Sequence, residues 1–546
     1  NKITECKIMS MNNIINEPVK EYLPGSEEKK SLLKEYKNQS NKKIEIPIII
    51  GGERILTGDI GHCIAPHNHK KVLASYHKAD KETVDKAIKN SLDAWKDWSN
   101  TKIEERTTIF RKAATLLAGK WRNKINAATM LNQSKNAHQA EIDAACELID
   151  FFNLNSSFAE NINSKQDLIS PNDTKNYLEY RPLEGFVFAI APFNFTSIAG
   201  NLPSAPALMG NVSLWKPASS AILACYYLME MFKEAGLPDG VINFLPGDGN
   251  VVGGPILDHP KLAGVHFTGS TKTFNHIWKT IGSKIDNYKS YPRIVGETGG
   301  KDFCLAHSSC DEEVLVTAMV RGAFEYQGQK CSAMSRAYIP STIWSSVEKK
   351  LIKQLSTIKI GAPNDFTNFM NAVIDKSSFK NIAQYLDYAK SNSDAEIIFG
   401  GGYDDSIGYF IEPTIILTSD PKFKTMTEEI FGPVLTIYVY EPENWEETIR
   451  LVDTTSDYAL TGCIIASEKK VINETQNKLK HSAGNFYIND KPTGAVVGQQ
   501  PFGGSRRSGT NDKAGSELNL MRWVSVRTIK ENLNPPKDYK YSFLEK

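Results

Sequence analysis

From Phe186 onward the chain alternates strand-like and helix-like stretches, and this alternation narrows the folds open to it. Phe186 to Ile190 is a continuous apolar run, as in a strand buried on both faces of a sheet. Strands follow at Val212–Lys216, Val241–Leu245 and Ala263–Phe267, with a helical pattern over 219–235 and another after Ser270. Strand, helix and strand in succession give parallel strands joined by crossovers. A second alternating series runs from 301 to 483, with helices near 312–326, 342–358 and 377–391. Its strands are expected near 337–339, 396–399, 414–417 and 434–439. The expected fold is therefore α/β, with two doubly wound parallel-sheet domains. Ligands of such sheets bind beyond the carboxyl ends of the strands, where Asn194, Lys216, Gly269 and Ser270 fall.

The flanking segments read differently. Residues 1–45 are polar, with a short amphipathic piece over 28–36, and suggest an arm packed on a larger body. Strands are expected at 46–50 and 72–76. Helices follow Asp80 as N-cap, over 103–117 and over 138–153. Glu147 lies on the last of these, and periodicity alone puts it on a solvated face. Residues 162–184 are polar and then extended, an excursion such as a hairpin. The tail, 485–546, alternates polar and apolar residues at Trp523, Val524 and Val526, suited to rejoining the first domain or adding strands to another subunit.

Composition excludes several functions. A net charge of +1 gives no footprint for nucleic acid or an anionic membrane surface. No run of about 18 apolar residues predicts a membrane span. The eight cysteines are scattered without a CxxC pair, which points to a reducing compartment rather than a disulfide framework. His62, His67, His69 and His77 cluster, but no acid or thiolate stands at ligand spacing, so they read as surface histidines and no metal is expected. The absence of an initiator Met fits a processed precursor or a trimmed chain.

Several short stretches carry chemistry. Cys331 follows a turn containing Gly328, with Lys330 before it and small Ser332 and Ala333 after it. A lone cysteine is often an inert small hydrophobe; as a nucleophile it reacts as thiolate, which a neighbouring cation or a helix N-terminus favours. Glu297 precedes Thr298, Gly299, Gly300 and Lys301, an acid beside two glycines. Asn194, after Pro192, offers an amide to a developing oxyanion or makes an ordinary Asx turn. Glu429 and Phe431 flank a tight turn closed by Gly432 and Pro433. The run Pro246–Gly253 nearly spells a dinucleotide fingerprint but is one residue too long, so Thr268-Gly269-Ser270 is the better phosphate turn.

Taken in order, these stretches resemble the aldehyde dehydrogenase superfamily over roughly residues 45–530, joined by Trp215-Lys216-Pro217 and Pro501-Phe502-Gly503-Gly504-Ser505. Within it, Asn16–Val19, Ala140–Phe152, Ala205–Val212, Phe324–Ser332, Gly484–Lys491 and Val497–Phe502 resemble the Δ1-pyrroline-5-carboxylate dehydrogenases. That resemblance implies oxidation of L-glutamate γ-semialdehyde to glutamate with NAD. Another aldehyde as substrate, or a non-catalytic binding role on the same fold, are the alternatives. It implies Cys331 as nucleophile, Asn194 as oxyanion donor and Glu297 as the base for hydrolysis. Lys216, Gly269, Ser270, Glu429 and Phe431 would bind NAD. Ser332, Gly494 and Ala495 would receive the α-carboxylate, Phe195 the aliphatic chain and Glu147 the ammonium, against its reading as a solvated residue. Ser219 stands where NAD-preferring relatives often carry an acid, so NAD over NADP rests on the resemblance.

The implied organisation is an arm and first part of the NAD-binding domain over 1–161, an oligomerisation flap over 162–184 and the NAD-binding domain over 185–299. The catalytic domain follows over 300–484, and a return segment with a C-terminal oligomerisation tail over 485–546. A homodimer or higher homo-oligomer in the mitochondrial matrix completes the expectation.

Overall fold

The computed structural model describes residues 14–545. Residues 1–13 of the expected arm, with Cys6, lie outside them. The first large sheet has seven strands, ordered Arg293–Glu297, Leu262–Thr268, Phe186–Ile190, Val212–Lys216, Ile242–Phe244, Ile48–Ile50 and Glu53–Ile55. The first five are parallel, and Ile48–Ile50 pairs antiparallel with both Ile242–Phe244 and Glu53–Ile55. Phe186–Ile190 sits in the middle, and every residue of Leu262–Thr268 is buried, which is why neither strand alternates in hydropathy. Helices pack on it through aromatic edges: Phe232 meets Phe110 and Phe152 at centroid distances of 6.4 and 5.8 Å.

The second seven-stranded sheet runs Ala395–Phe399, Thr414–Thr418, Val434–Tyr440, Met334–Pro340, Asp302–Ala306, Thr461–Ile465 and Asn485–Ile488. All but the first are parallel. Arg336 is fully buried within it, donating to the carbonyls of Lys301 and Val452 and to the Tyr338 hydroxyl. These three bonds fix its guanidinium inside the sheet.

Three expectations change. The 46–50 strand is split at Pro47, which has no N–H to give a ladder: Ile44–Ile46 pairs with Asn68–His77, and Ile48–Ile50 joins the large sheet. The 162–184 excursion is not a hairpin. Thr174–Pro182 pairs antiparallel along its whole length with Val524–Asn532 of the tail, from Val524 opposite Pro182 to Asn532 opposite Thr174. The helix expected to end at 153 runs on to Ser164, and its start passes through a π-helical segment, Glu141–Cys146. Among the described residues no helix is long and apolar enough to cross a membrane.

Candidate active site

After the helix Glu312–Phe324 the chain turns through Tyr326, Gln327 and Gly328, all left-handed with φ of 50, 57 and 66°. Two non-glycine residues in this region store strain, held by the surroundings. The Tyr326 hydroxyl donates to the Gln133 carbonyl at 2.7 Å, and Gln327 Nε2 donates to the carbonyls of Ser134 and Ala372 at 3.0 and 2.9 Å. The Gln329 side chain accepts from the Ile374 N–H at 2.9 Å. This pinned turn delivers Cys331, which is 8% exposed. A Cβ on Gly328 would overlap the Gly432 carbonyl, and one on Gly300 would overlap the Cys331 carbonyl. A Cβ on Gly299 would stand 2.6 Å from Glu429 Oε1. Segments 297–301, 328–332 and 429–433 thus converge on one point.

The thiol is not activated as its neighbours in sequence suggest. Burial pushes the Cys331 thiol up, and the carboxylates of Glu297, Glu429 and Asp302 push it further. Lys330 turns away: its buried ammonium lies 3.4 Å from Glu325 and 3.7 Å from Asp143. Cys331 is therefore a neutral thiol in the free chain. Glu297, at the end of Arg293–Glu297, is pushed up to about 8 by burial, with the Lys513 ammonium opposing and Asp512 adding. Asn194 Nδ2 donates to the Gln329 carbonyl at 3.2 Å, just before the nucleophile, while its Oδ1 is buried without a partner.

Glu147 is half-buried rather than fully solvated. Ser197 Oγ donates to its Oε2 at 2.7 Å, and burial with nearby Asp143 pushes its carboxyl up to about 8. Glu297 also acts on it electrostatically. The π segment that precedes Glu147 carries Asp143, whose carboxylate pairs with the fully buried Lys135 at 3.0 Å. Lys135 in turn stands 4.3 Å over the Phe195 ring. Across from these, the Ser332 hydroxyl shares a 2.7 Å hydrogen bond with Thr493, next to Gly494 (φ 89°) and the half-buried Ala495. Sequence reasoning missed Lys135 and Thr493; Thr493 directly precedes Gly494, which was the available signal.

The remaining sequence candidates gather at the carboxyl ends of the first sheet. Lys216 ends Val212–Lys216; its ammonium is lowered to about 8 by burial and donates to the Pro217 carbonyl at 3.2 Å. Asp248, in the rejected Pro246–Gly253 run, is the acid that acts on Lys216, so that run borders the same place. Ser270, after Gly269, caps the helix Thr271–Ser283 by accepting from the Thr273 N–H at 3.2 Å. Glu429 accepts from the Gly300 N–H at 2.6 Å. Phe431, itself left-handed at φ 59°, meets Phe193 edge to face at 5.7 Å.

Two of the four histidines read as surface residues are buried. His67 bonds Tyr36 and Ser134, each at 3.1 Å, and His77 pairs with Glu45 at 2.8 Å. Hydrogen bonds take the place of water there. No metal-binding group of three or more His, Cys, Asp or Glu occurs among the described residues.

A buried cysteine, a carboxyl at the end of a parallel strand and a helix N-terminus at the sheet's carboxyl end are the parts of an aldehyde-oxidising site. Residues 58–529 match the aldehyde dehydrogenase family, and the chain belongs to that family. It is 52% identical, over 97% of its length and 95% of the relative's, to a mitochondrial Δ1-pyrroline-5-carboxylate dehydrogenase of Dictyostelium discoideum. It is 46% identical to the mitochondrial human protein of that name, over 97% of this chain and 94% of the other. The fold matches the Mycobacterium tuberculosis Δ-pyrroline-5-carboxylate dehydrogenase bound with NAD at a TM-score of 0.94 and 47% identity, covering 97% and 98% of the two chains.

Proposed function

We infer that the chain is an NAD-dependent dehydrogenase that oxidises L-glutamate γ-semialdehyde, the open form of Δ1-pyrroline-5-carboxylate, to L-glutamate, the second step of proline catabolism. Near-full-length identity to dehydrogenases of that name is the observation that carries this reading. Steady-state formation of reduced cofactor with the semialdehyde, compared with propanal, tests it: the semialdehyde must be the better substrate by kcat/KM.

The donor set at the first sheet's carboxyl ends suits NAD. Lys216 and Glu429, a buried cation and an anchored carboxylate, fit ribose hydroxyls. Gly269 and Ser270 lead into a 13-residue helix whose free N–H groups favour a pyrophosphate. Phe431, braced by Phe193, offers a ring edge to the nicotinamide. When bound, NAD supplies the acceptor for the two electrons and the hydrogen that leave the aldehyde carbon.

The chain's own residues do the rest. Ionised Glu297, the carboxylate that acts most strongly on Cys331, takes the thiol proton. The Cys331 sulfur then bonds the aldehyde carbon, and the carbonyl π electrons move to oxygen. Asn194 Nδ2 and the Cys331 N–H stabilise that oxyanion. Oxidation leaves an acyl thioester on Cys331. Glu297, having released the thiol proton to solvent, draws a proton from water, whose oxygen attacks the acyl carbon. The thiolate leaves and regains a proton from Glu297, and the product acid ionises to the carboxylate.

Glu147 binds the substrate ammonium; Ser332, Gly494 and Ala495 take the α-carboxylate, and Phe195 packs on the methylenes between. The family's mitochondrial relatives support a place in the matrix. A homodimer is the assembly we favour. The Thr174–Pro182 and Val524–Asn532 pair is a two-stranded ribbon, and such ribbons are marginal alone. It leads into exposed Leu533, Tyr539 and Phe543, which a second copy would cover.

A further inference from the structure

The stretch Asn16–Val19 marks the sequence yet lies far along the chain from every residue given a role above. Its contacts show where it acts. Asn16 Nδ2 donates to Asp150 Oδ2 at 2.9 Å and to the Val497 carbonyl at 2.7 Å. Its Oδ1 accepts from Gln499 Nε2 at 2.9 Å. Both amide hydrogens and the carbonyl are therefore used, each toward a group of the opposite kind. Asp150 also accepts from the Glu17 N–H at 2.8 Å, which fixes the arm against the helix.

The partners lie on two separate segments. Asp150 is on the helix Glu147–Ser164, one turn after Glu147. Val497 and Gln499 are on the loop that begins with Gly494 and Ala495. Gly498, left-handed at φ 84°, lies against Leu154, where a Cβ would come within 2.7 Å of Cδ1.

We propose that Asn16 is a specificity-determining positioning residue: it ties the loop that receives the substrate carboxylate to the helix that presents the acid for the ammonium, and so sets the distance between the two charges of an α-amino acid head group. The inference rests on the assignment of Glu147, Gly494 and Ala495 above. An aldehyde lacking the head group does not sense that distance. Asparagine is required because aspartate would bring a second carboxylate against Asp150 and has no donor for Val497, while alanine breaks all three bonds.

The test is steady-state kinetics of Asn16→Ala and Gln499→Ala with glutamate semialdehyde and with propanal. Losing one charge-assisted and two neutral bonds, at about 1.4 kcal/mol per tenfold, should lower the semialdehyde-to-propanal ratio of kcat/KM by about tenfold in Asn16→Ala, through KM. Gln499→Ala removes one bond at an exposed site and should lower the ratio by about threefold. An equal loss on both substrates, or an unchanged ratio, overturns the proposal, and Gln499→Ala decides should Asn16→Ala not fold. Glu147→Ala run alongside separates the two failures: a normal ratio there removes the head-group assignment itself, whereas a lowered ratio there with a normal one in both Asn16→Ala and Gln499→Ala removes only the role of Asn16.

Discussion

The carbonyl of Cys331 lies against the α-carbon of Gly300, so closely that any side chain at 300 would overlap it. The same glycine gives its N–H to Glu429 at 2.6 Å. One residue thus sets the strand that ends in Glu297, the turn that carries Cys331 and the acid assigned to the cofactor ribose at their mutual distances.

Gly300→Ala should reduce kcat by at least about 100-fold, because moving a reacting atom by about an ångström costs that much. The overlap with backbone should also cost about 1–3 kcal/mol of stability. Thermal unfolding and turnover measured on one preparation check both.

Asn194→Ala removes one of the two proposed oxyanion donors and should lower kcat by about 10²–10³-fold while leaving NAD affinity in place. Turnover with saturating substrate, beside a direct titration of the cofactor, reads the two effects separately.

Glu147→Ala should raise KM for the semialdehyde and cut its kcat/KM relative to propanal by about 10–100-fold, the loss of a hydrogen-bonded charge contact. Substrate competition measures that ratio directly.

Glu297 ionises near about 4.3 in an unfolded chain and about 8 here, because burial disfavours the charge. As a base it acts only when ionised, so thioester hydrolysis should rise with pH up to about 8 and level off above it. For stability the sign is opposite. The raised value favours the folded state below about 4.3, and this advantage is lost as pH rises through about 8. Glu297→Gln should flatten both profiles, seen in single-turnover hydrolysis and in melting temperature against pH.

Much of this architecture could be read along the chain because buried parallel strands leave contiguous apolar runs, as at Phe186–Ile190 and Leu262–Thr268. Asp302–Ala306 escaped notice because it begins with an acid directly after the Glu297–Lys301 turn; Asp302 is buried and accepts from the Thr461 N–H at 2.9 Å. Motifs located Cys331, Glu297, Asn194 and Glu429, but not their electrostatics. Lys330 adjoins the nucleophile in sequence and yet pairs with Glu325 and Asp143, a partner from the distant π segment. Glu147 read as solvated because periodicity counts hydrophobic neighbours and does not see the Ser197 hydroxyl that bonds it. The bonds of Asn16 span 134 to 483 residues and leave no local pattern.

The chemistry depends most directly on a bond between the Cys331 sulfur and the substrate. Glu297→Gln, mixed with semialdehyde and NAD, quenched in acid and digested, should yield a peptide in which Cys331 carries the glutamate γ-acyl group, with one equivalent of reduced cofactor formed. Reduced cofactor without any acyl group on Cys331, or the acyl group on another residue, would contradict a thioester at this cysteine.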